Sequence, residues 1–327
     1  MQSVKLKAKS EMTSRRSFIE GIGAAALLGG CCSPYGKLPR HRSDYAGIRI
    51  GAITYSFAQM SEFPRGCTEK FILGAGLGSV ELMDRDFERD LGIVPFRHIQ
   101  AKFLTKEQKV AISQWRETAD MKPLEDFRDA YEAAGIGIHI AKFGDIGCPW
   151  MYSWKEAEYM FKATRALGAR VITREVPKVA EWADFKATAE KLIPLMNEYD
   201  VDIAFHNHAQ IGANTYDGVL LDYSDHFKIN FDIGNYVAAN DDDPLAFVEK
   251  YASRISSIHV KDRRRDNGPE LPFGTGDTPL KDLFAALKAK QLDIPCDIEV
   301  EFPIPQGSNA VQETDKCREF CRRAILG

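Results

Sequence analysis

Pairs of potentially reactive side chains recur with one residue between them. The pairs are His206 and His208, His259 and Lys261, and Glu299 and Glu301. Residues two apart on a β-strand point to the same face, so each pair presents both side chains to one side. Imidazoles and carboxylates gathered at one place suit proton transfer or the binding of one divalent metal, such as Mn, Co, Fe, Zn or Mg.

These pairs lie at the ends of short β-rich runs that alternate with amphipathic helical patterns. Eight runs are present, at residues 49–57, 79–84, 137–143, 170–176, 202–208, 228–233, 256–261 and 296–302. Strand–helix alternation predicts a parallel sheet, and eight units favour the α/β class and a closed (β/α)8 TIM barrel. No Gly-x-Gly-x-x-Gly follows the first run, which argues against dinucleotide binding.

A TIM barrel gathers its active site at the C-terminal ends of its strands. Besides the three pairs, the residues at those ends are Tyr55, Glu81, Asp84, Lys142, Glu175 and Asp232. A single polar residue at a strand end is usually only a hydrogen-bonding group, but such residues on successive strands predict a shared site. The interval 85–118 is longer than one helix needs and predicts an inserted loop or extra helix over part of the barrel mouth.

Composition excludes several classes of protein. The 327 residues are 44% hydrophobic and 28% charged, which is typical of a globular chain large enough for a substantial core. Lys and Arg total 43 against 47 Asp and Glu, so the net charge of −4 argues against a nucleic-acid partner. Seven Cys are too few for a disulfide scaffold.

The N-terminus has the pattern of an export signal. Arg15 and Arg16 precede an apolar Gly/Ala-rich run at 22–30, which is too short to span a bilayer. The segment 1–31 resembles a twin-arginine signal, and its end at Cys31 resembles a lipobox. We therefore expect a tether at 32–47, a barrel at 48–327, and a periplasmic protein or a lipoprotein that contacts the membrane only through a lipid on Cys31. A buried Gly/Ala helix is the alternative.

Three segments resemble the xylose-isomerase-like sugar isomerase/epimerase superfamily. They read Phe-Asp-Ile-Gly-Asn at 231–235, Ser-Ile-His-Val-Lys-Asp at 257–262 and Glu-Val-Glu-Phe at 299–302. The resemblance covers about residues 48–326 and implies a divalent metal held by Glu, Asp, His and Glu from the last four strands. The matching positions in this chain are His206, Asp232, His259 and Glu301.

His206 departs from the family pattern, because the resemblance implies Glu at that position. The two ligating Glu residues of the family act as acid and base on either face of a sugar carbon, so Glu301 remains and one base is missing. Glu175 or His208 is the candidate replacement. Fewer carboxylates also leave a bound metal more Lewis-acidic, which favours keto-sugar lyase, dehydratase or keto-glycoside hydrolase chemistry over simple epimerisation.

The remaining polar residues have two interpretations each. Lys142 and Lys261 either donate hydrogen bonds to sugar oxygens or a developing enolate, or form salt bridges with Glu175 or Asp262. Glu81 either orients a ligand or binds substrate. Glu299 shares the parity of Glu301 but lies deeper, which predicts a supporting or layer-filling role.

The first functional hypothesis is a metal-dependent enzyme that removes a proton next to the carbonyl of a small-molecule sugar or keto-sugar. A metal-dependent endonuclease for abasic DNA, a second class in the superfamily, is disfavoured by the seven His residues, the net charge of −4 and the export signal. A non-catalytic sugar-binding protein is disfavoured by the presence of Asp232, His259 and Glu301 together. Nothing in the sequence sets the oligomeric state.

Overall fold

The computed structural model describes residues 42–93, 104–148, 151, 153–177, 182–217 and 220–327. Its strands are β1 (Asp44–Tyr45), β2 (Ile48–Ile53), β3 (Ser79–Met83), β4 (Gly137–Lys142), β5 (Val171–Glu175), β6 (Asp202–His206), β7 (Phe227–Asp232), β8 (Ile255–Val260) and β9 (Cys296–Ile298). Neighbouring strands from β2 to β9 pair in parallel and in chain order, and β9 pairs back to β2. The predicted (β/α)8 TIM barrel is confirmed, with β1 added as a short antiparallel strand.

Helices surround this barrel. They are α1 (Cys67–Gly74), α2 (Asp84–Asp90), α3 (Lys106–Arg116), α4 (Lys122–Ala133), α5 (Trp154–Ala166), α6 (Trp182–Tyr199), α7 (Ile233–Ala239), α8 (Pro244–Tyr251), α9 (Leu280–Ala289) and α10 (Ala310–Leu326). Short 3-10 turns occupy Thr54–Phe57 and Leu220–Tyr223. Among the described residues, no helix combines the length and the hydropathy needed to cross a membrane.

The strands are buried on both faces, because one face fills the barrel and the other lies under the helices. Every residue of β2 and of β4 is buried, for example. Aromatic side chains join the barrel to its helical layer: Phe205 and Phe185 meet edge to face at 5.5 Å, and Phe231 stacks on Phe247 at 4.5 Å. Such contacts hold the strand ends, and therefore the site, in fixed positions.

A buried polar layer lies inside the barrel below the C-terminal strand ends. Ser79 Oγ lies 2.9 Å from His139 Nδ1, and His139 Nε2 lies 2.9 Å from Asp297 Oδ2. Gly51 leaves room for this layer, because a Cβ there would lie 2.4 Å from Asp297 Oδ1. Asp297 lies two residues before Glu299, so this layer lies directly beneath the residues at the C-terminal strand ends.

The long interval 85–118 contains additional helical structure, as the sequence predicts. Helix α2 follows β3 directly, and α3 ends at Arg116. Arg116 donates to Glu88 at 2.8 and 3.0 Å and to Asp84 at 2.8 Å. This buried ion-pair group ties the inserted helix to the end of β3.

The predicted export signal at 1–31, including Cys31, lies outside the described residues, as does the tether at 32–47 up to residue 41. The signal, its lipidation and the tether therefore stay predictions.

Candidate active site

A cavity of about 290 Å³ opens at the C-terminal ends of the strands. Its lining includes Tyr55, Asp84, Arg85, Lys142, Glu175, His206, His208, Glu299 and Glu301. Tyr55 reaches the cavity because the chain turns at Thr54–Phe57 as β2 ends. The Arg85 guanidinium lies over the Tyr55 ring, 5.0 Å from its centroid. The cavity thus lies where the sequence analysis expects the site.

Four buried residues at the inner wall have the chemistry of a metal site. Ligand atoms of His206, Asp232, His259 and Glu299 all lie within 4.8 Å of one another. The first three end β6 and β7 or lie next to the end of β8, and Glu299 directly follows β9. Two imidazoles with two carboxylates, all buried, fit a divalent first-row transition metal. We call these four residues the inner group.

Asp232 and His206 are held by neighbouring polar groups. Asp232 caps α7 and accepts hydrogen bonds from the Asn235 backbone N–H and side-chain amide, both at 2.7 Å. His206 Nδ1 lies 2.6 Å from Asn230 Oδ1. An amide oxygen only accepts, so Nδ1 carries the proton and the Nε2 lone pair is left for a ligand. Burial and the nearby Lys142 ammonium lower the pKa of His206 to about 3, which keeps the ring neutral and able to ligate.

His259 is held between two carboxylates. Its Nδ1 lies 3.0 Å from Glu299 Oε2, and its Nε2 lies 2.9 Å from Glu81 Oε2. Burial alone would lower the pKa of His259, but these carboxylates raise it well above its usual range. A metal at the inner group would require Nδ1 to be deprotonated, and the bond from Nε2 to Glu81 fixes that tautomer. The residues present therefore fit a metal, with Glu81 orienting a ligand from behind.

Glu81 is enclosed by this network and does not line the cavity. Its Oε1 accepts from Thr173 Oγ1 at 2.6 Å, and its Oε2 also accepts from Asn230 Nδ2 at 3.1 Å. Burial would raise the pKa of Glu81, but the His259 charge and hydrogen bond lower it to about 2. Of the two roles considered for Glu81, this geometry is that of a ligand-orienting residue.

Glu299, and not Glu301, completes the inner group. The last strand ends at Ile298, whereas the sequence pattern extends it to 302. Glu299 therefore stands at the strand end, and Glu301 lies two residues farther out, with its side chain 41% exposed. The sequence predicts Glu301 as the metal ligand and Glu299 as a supporting residue. In the structure Glu299 lies in the inner group and Glu301 lies outside it. The physical reason is that both residues share one parity, while the end of the strand decides which of them points into the group.

Lys261 is surrounded by carboxylates. Its Nζ lies 2.5 Å from Glu301 Oε2, 3.1 Å from Glu299 Oε2 and 3.4 Å from Asp232 Oδ2. The carboxylate of Asp262, the partner considered from the sequence, binds backbone N–H groups of a loop instead. Lys261 therefore neutralises the outer edge of the inner group. It does not line the cavity.

A second acid–base pair stands beside the inner group. Lys142 Nζ lies 3.0 Å from Glu175 Oε1, and His208 Nδ1 lies 3.5 Å from Glu175 Oε2. Burial would raise the pKa of Glu175, but the nearby Lys142 ammonium lowers it to about 2. His208 is exposed to solvent, and its ring centroid lies 5.2 Å from that of His206. Glu175, His206 and His208 thus lie together, as the sequence analysis expects.

The two exposed carboxylates of the cavity belong to opposite walls. Glu175 ends β5, the fourth strand of the barrel, and Glu301 follows β9, the eighth, so half the barrel separates them. Each carboxylate is paired with a lysine from the preceding strand end: Glu175 with Lys142, and Glu301 with Lys261. A ligand in the cavity would therefore meet Lys142 and Glu175 on one side and Glu301 on the other, with Lys261 buried behind Glu301.

Glu270 is a site residue that sequence reasoning missed. Its Oε1 accepts the backbone N–H of Glu301 at 2.8 Å, and its Oε2 lies 3.9 Å from Lys261 Nζ. Burial raises the pKa of Glu270 to about 8, although Lys261 opposes the shift. Glu270 lies in the loop after β8 and has no strand-end position to mark it. The only sequence signal near it is Gly274-Thr275-Gly276, which belongs to the same loop.

Comparison with known proteins agrees with this architecture. Inosose dehydratase of Clostridium tetani is 30% identical over 90 residues, which are 26% of this chain and 30% of that protein. The matched segment thus spans under a third of this curated relative. The IOLI protein, solved with a bound zinc atom, superposes with a TM-score of 0.59 at 11% identity, covering 85% of this chain and 98% of that chain. D-psicose 3-epimerase from Clostridium cellulolyticum H10 gives a TM-score of 0.57 at 12% identity, over 85% and 99% of the two chains.

Such low identities to solved structures show the fold alone. The sequence evidence is broader, because the profile of the family described as xylose isomerase-like TIM barrel matches residues 89–322. That match includes the inner group and both Lys–Glu pairs, and it confirms the resemblance seen in the three motif segments. The chain belongs to the xylose isomerase-like TIM barrel family.

Proposed function

We propose that this protein is a divalent-metal-dependent enzyme that removes a proton from the carbon next to the carbonyl group of a sugar or keto-sugar. The observation that carries the proposal is that two carboxylates, Glu175 and Glu301, each paired with a lysine, lie on opposite walls of one cavity beside the inner group. A divalent metal bound by His206, Asp232, His259 and Glu299 would polarise the carbonyl and so acidify the neighbouring C–H. The sugar substrate is suggested by the names of the relatives.

The chain's own groups supply the proton transfer. Glu175 is ionised at neutral pH because the Lys142 ammonium lowers its pKa to about 2, and it would become a stronger base when Lys142 turns to the substrate oxygen. Lys142, 3.0 Å from it, is placed to donate a hydrogen bond to negative charge that develops on the substrate oxygen. Glu301, on the opposite wall of the cavity, would exchange a proton with the other face of the same substrate carbon. Delivery of the proton to that face of the same carbon is epimerisation, and delivery to the neighbouring carbon is isomerisation.

A specific contact also favours a second candidate, dehydration. His208 lies 3.5 Å from Glu175 on the same wall. Glu175 would remove the proton while His208 protonates a departing hydroxyl on the same face, so that water is lost. The inosose dehydratase relative supports this reaction class. If the departing group is a glycoside oxygen, the same steps make a keto-glycoside lyase, and subsequent attack by water completes a hydrolase reaction.

One experiment separates these reactions. The purified protein is loaded in turn with Mn, Co, Zn or Mg and incubated in D2O with ketoses, inososes and a keto-glycoside. NMR then follows deuterium at the carbon next to the carbonyl, and mass spectrometry follows loss of water or aglycone. Deuterium incorporation into an isomer supports the isomerase, and loss of water supports the dehydratase. Sugar binding without any exchange supports the non-catalytic alternative and contradicts the proposal.

We also propose that residues 1–31 direct export by the twin-arginine route and that Cys31 carries a lipid. The paired arginines, the short apolar run and the cysteine at its end support this proposal. Cell fractionation of the wild type and of a double variant, Arg15→Lys with Arg16→Lys, tests the export route. A double variant that still reaches the periplasm would contradict the route.

A further inference from the structure

We infer that the sugar bound in this cavity carries no phosphate group, an inference that rests on the proposed function and narrows its substrate class. Barrels of this architecture commonly bind phosphate with the loops after the seventh and eighth strands, through backbone N–H groups and a helix N-terminus. In this protein β8 and β9 are those strands. In the loop after β8, a carboxylate of the chain itself already occupies the converging backbone donors.

The loop after β8 is closed around Asp262. Its Oδ2 accepts the backbone N–H groups of Gly274 at 2.7 Å, Thr275 at 3.1 Å and Gly276 at 2.9 Å. Its Oδ1 accepts the N–H of Thr278 at 3.2 Å. Converging backbone N–H groups in a Gly-rich loop form a concavity that binds anions, and Asp262, which is 1% exposed, fills it.

The glycines of this loop are needed for that contact. A Cβ on Gly276 would lie 2.1 Å from Asp262 Oδ1, so a side chain there would displace the carboxylate. Gly274 has φ of +88°, a conformation that favours glycine. The loop is thus shaped around an internal anion and leaves no converging donors for an external one.

Negative groups also occupy the helix starts next to the cavity. The Asp84 carboxylate accepts the Arg85 backbone N–H at 2.7 Å where α2 begins. Asp232 does the same for α7 through the Asn235 N–H at 2.7 Å. A phosphate close to either helix start would face a carboxylate at short range, which opposes binding.

Both lysines beside the cavity are already engaged with carboxylates: Lys142 pairs with Glu175 at 3.0 Å and Lys261 with Glu301 at 2.5 Å. The third cation, Arg85, packs over the Tyr55 ring and lies 4.0 Å from Asp86, which is a weaker ion pair. A sugar phosphate, with a charge of about −1.5 to −2 at neutral pH, would have to break such pairs to gain a cation. A neutral sugar needs only hydrogen bonds, which these paired groups still offer.

The test compares matched ligands. Binding of D-fructose and D-tagatose to the metal-loaded protein is measured by saturation-transfer NMR, beside their 6-phosphates. The inference predicts that each ester binds at least about tenfold more weakly than its parent sugar, a difference of about 1.4 kcal/mol. An ester that binds more tightly than its parent overturns the inference. If neither sugars nor esters bind, the proposed function is contradicted, and the inference is then decided by inorganic phosphate alone.

Inorganic phosphate is titrated by ³¹P NMR into protein kept in chelator, so that metal coordination does not contribute. Wild type is expected to show no saturable binding in the millimolar range, and saturable binding overturns the inference. Asp262→Ser, which frees the loop donors, is expected to gain phosphate affinity. Asp277→Ser is the matched control, because Asp277 lies in the same loop but accepts from Arg264 and the Arg265 N–H instead. If Asp262→Ser does not fold, the wild-type titrations still decide the question.

Discussion

Replacing Lys261 with methionine would remove the ammonium group around which four carboxyl groups converge. Besides Glu301, Glu299 and Asp232, Glu270 lies 3.9 Å from Lys261 Nζ. The Lys261, Asp232 and Glu299 side chains are at most 8% exposed, so water would screen the charges of Asp232 and Glu299 very little. Methionine keeps most of the side-chain volume, and the change therefore tests charge more than packing.

The magnitude follows from this burial. Removing one partner of a buried ion pair leaves an uncompensated charge and costs about 3–5 kcal/mol. Lys142→Met is the matched control, because Lys142 has one close carboxylate, Glu175, whose side chain is 43% exposed. Solvent screening limits that loss to about 1 kcal/mol. We therefore expect Lys261→Met to lose more unfolding free energy than Lys142→Met when no metal is present.

Urea unfolding measures both losses, first with chelator and then with saturating divalent metal. A metal at the inner group supplies positive charge to the carboxylates that Lys261 served, so metal should restore more stability to Lys261→Met than to Lys142→Met. For the same reason Lys261→Met should bind the metal more tightly than wild type. The reasoning is refuted if, in chelator, Lys261→Met is as stable as Lys142→Met, or if metal stabilises both variants equally.

Further predictions concern groups away from the cavity. The pKa of Glu81 is lowered to about 2, so its pairing with His259 stabilises the fold above about pH 4.5, and this stabilisation is lost as pH falls through 2. The effect is worth about 3 kcal/mol. In metal-free protein, Glu81→Gln should weaken this dependence of the unfolding free energy on acid pH, as measured by circular dichroism. Burial raises the pKa of the Cys296 thiol, so iodoacetamide at neutral pH should modify it only at the rate of unfolding, and modification at the rate of a free thiol would contradict its burial. Arg116→Met leaves the Glu88 carboxylate buried without its partner and should lower the free energy of unfolding in urea by about 3–5 kcal/mol. The double variant with Glu88→Gln should recover much of this loss. A double variant that is less stable than Arg116→Met would contradict the pairing.

The barrel could be predicted from the sequence because each strand carries its own signal. The run 137–143 contains β4, Gly137–Lys142, and the run 170–176 contains β5, Val171–Glu175. Strand parity also brought His206 and His208, and Glu299 and Glu301, to the same side. Such periodicity is local, and neighbouring residues determine it.

The details of the site depend on where strands end and loops return, and neither is local. Glu299 and Glu301 have the same parity, and only the end of β9 at Ile298 separates their positions. Glu270 reaches Glu301 because a loop of more than fifteen residues folds around Asp262. The pairing of Lys261 with several carboxylates likewise depends on strands that are distant in sequence but adjacent in the barrel, so the spacing of residues along the chain does not predict it.

Deuterium exchange by Glu175→Gln, measured together with metal content, tests the central claim most directly. The isosteric amide cannot accept a proton, so exchange next to the carbonyl of a bound keto-sugar should fall at least about 100-fold, with one metal still bound. Glu301→Gln, on the opposite wall, should retain exchange if Glu175 is the base that removes the proton. Exchange by Glu175→Gln at the wild-type rate would contradict the assignment, and loss of metal from that variant would make Glu175 a ligand and not the base.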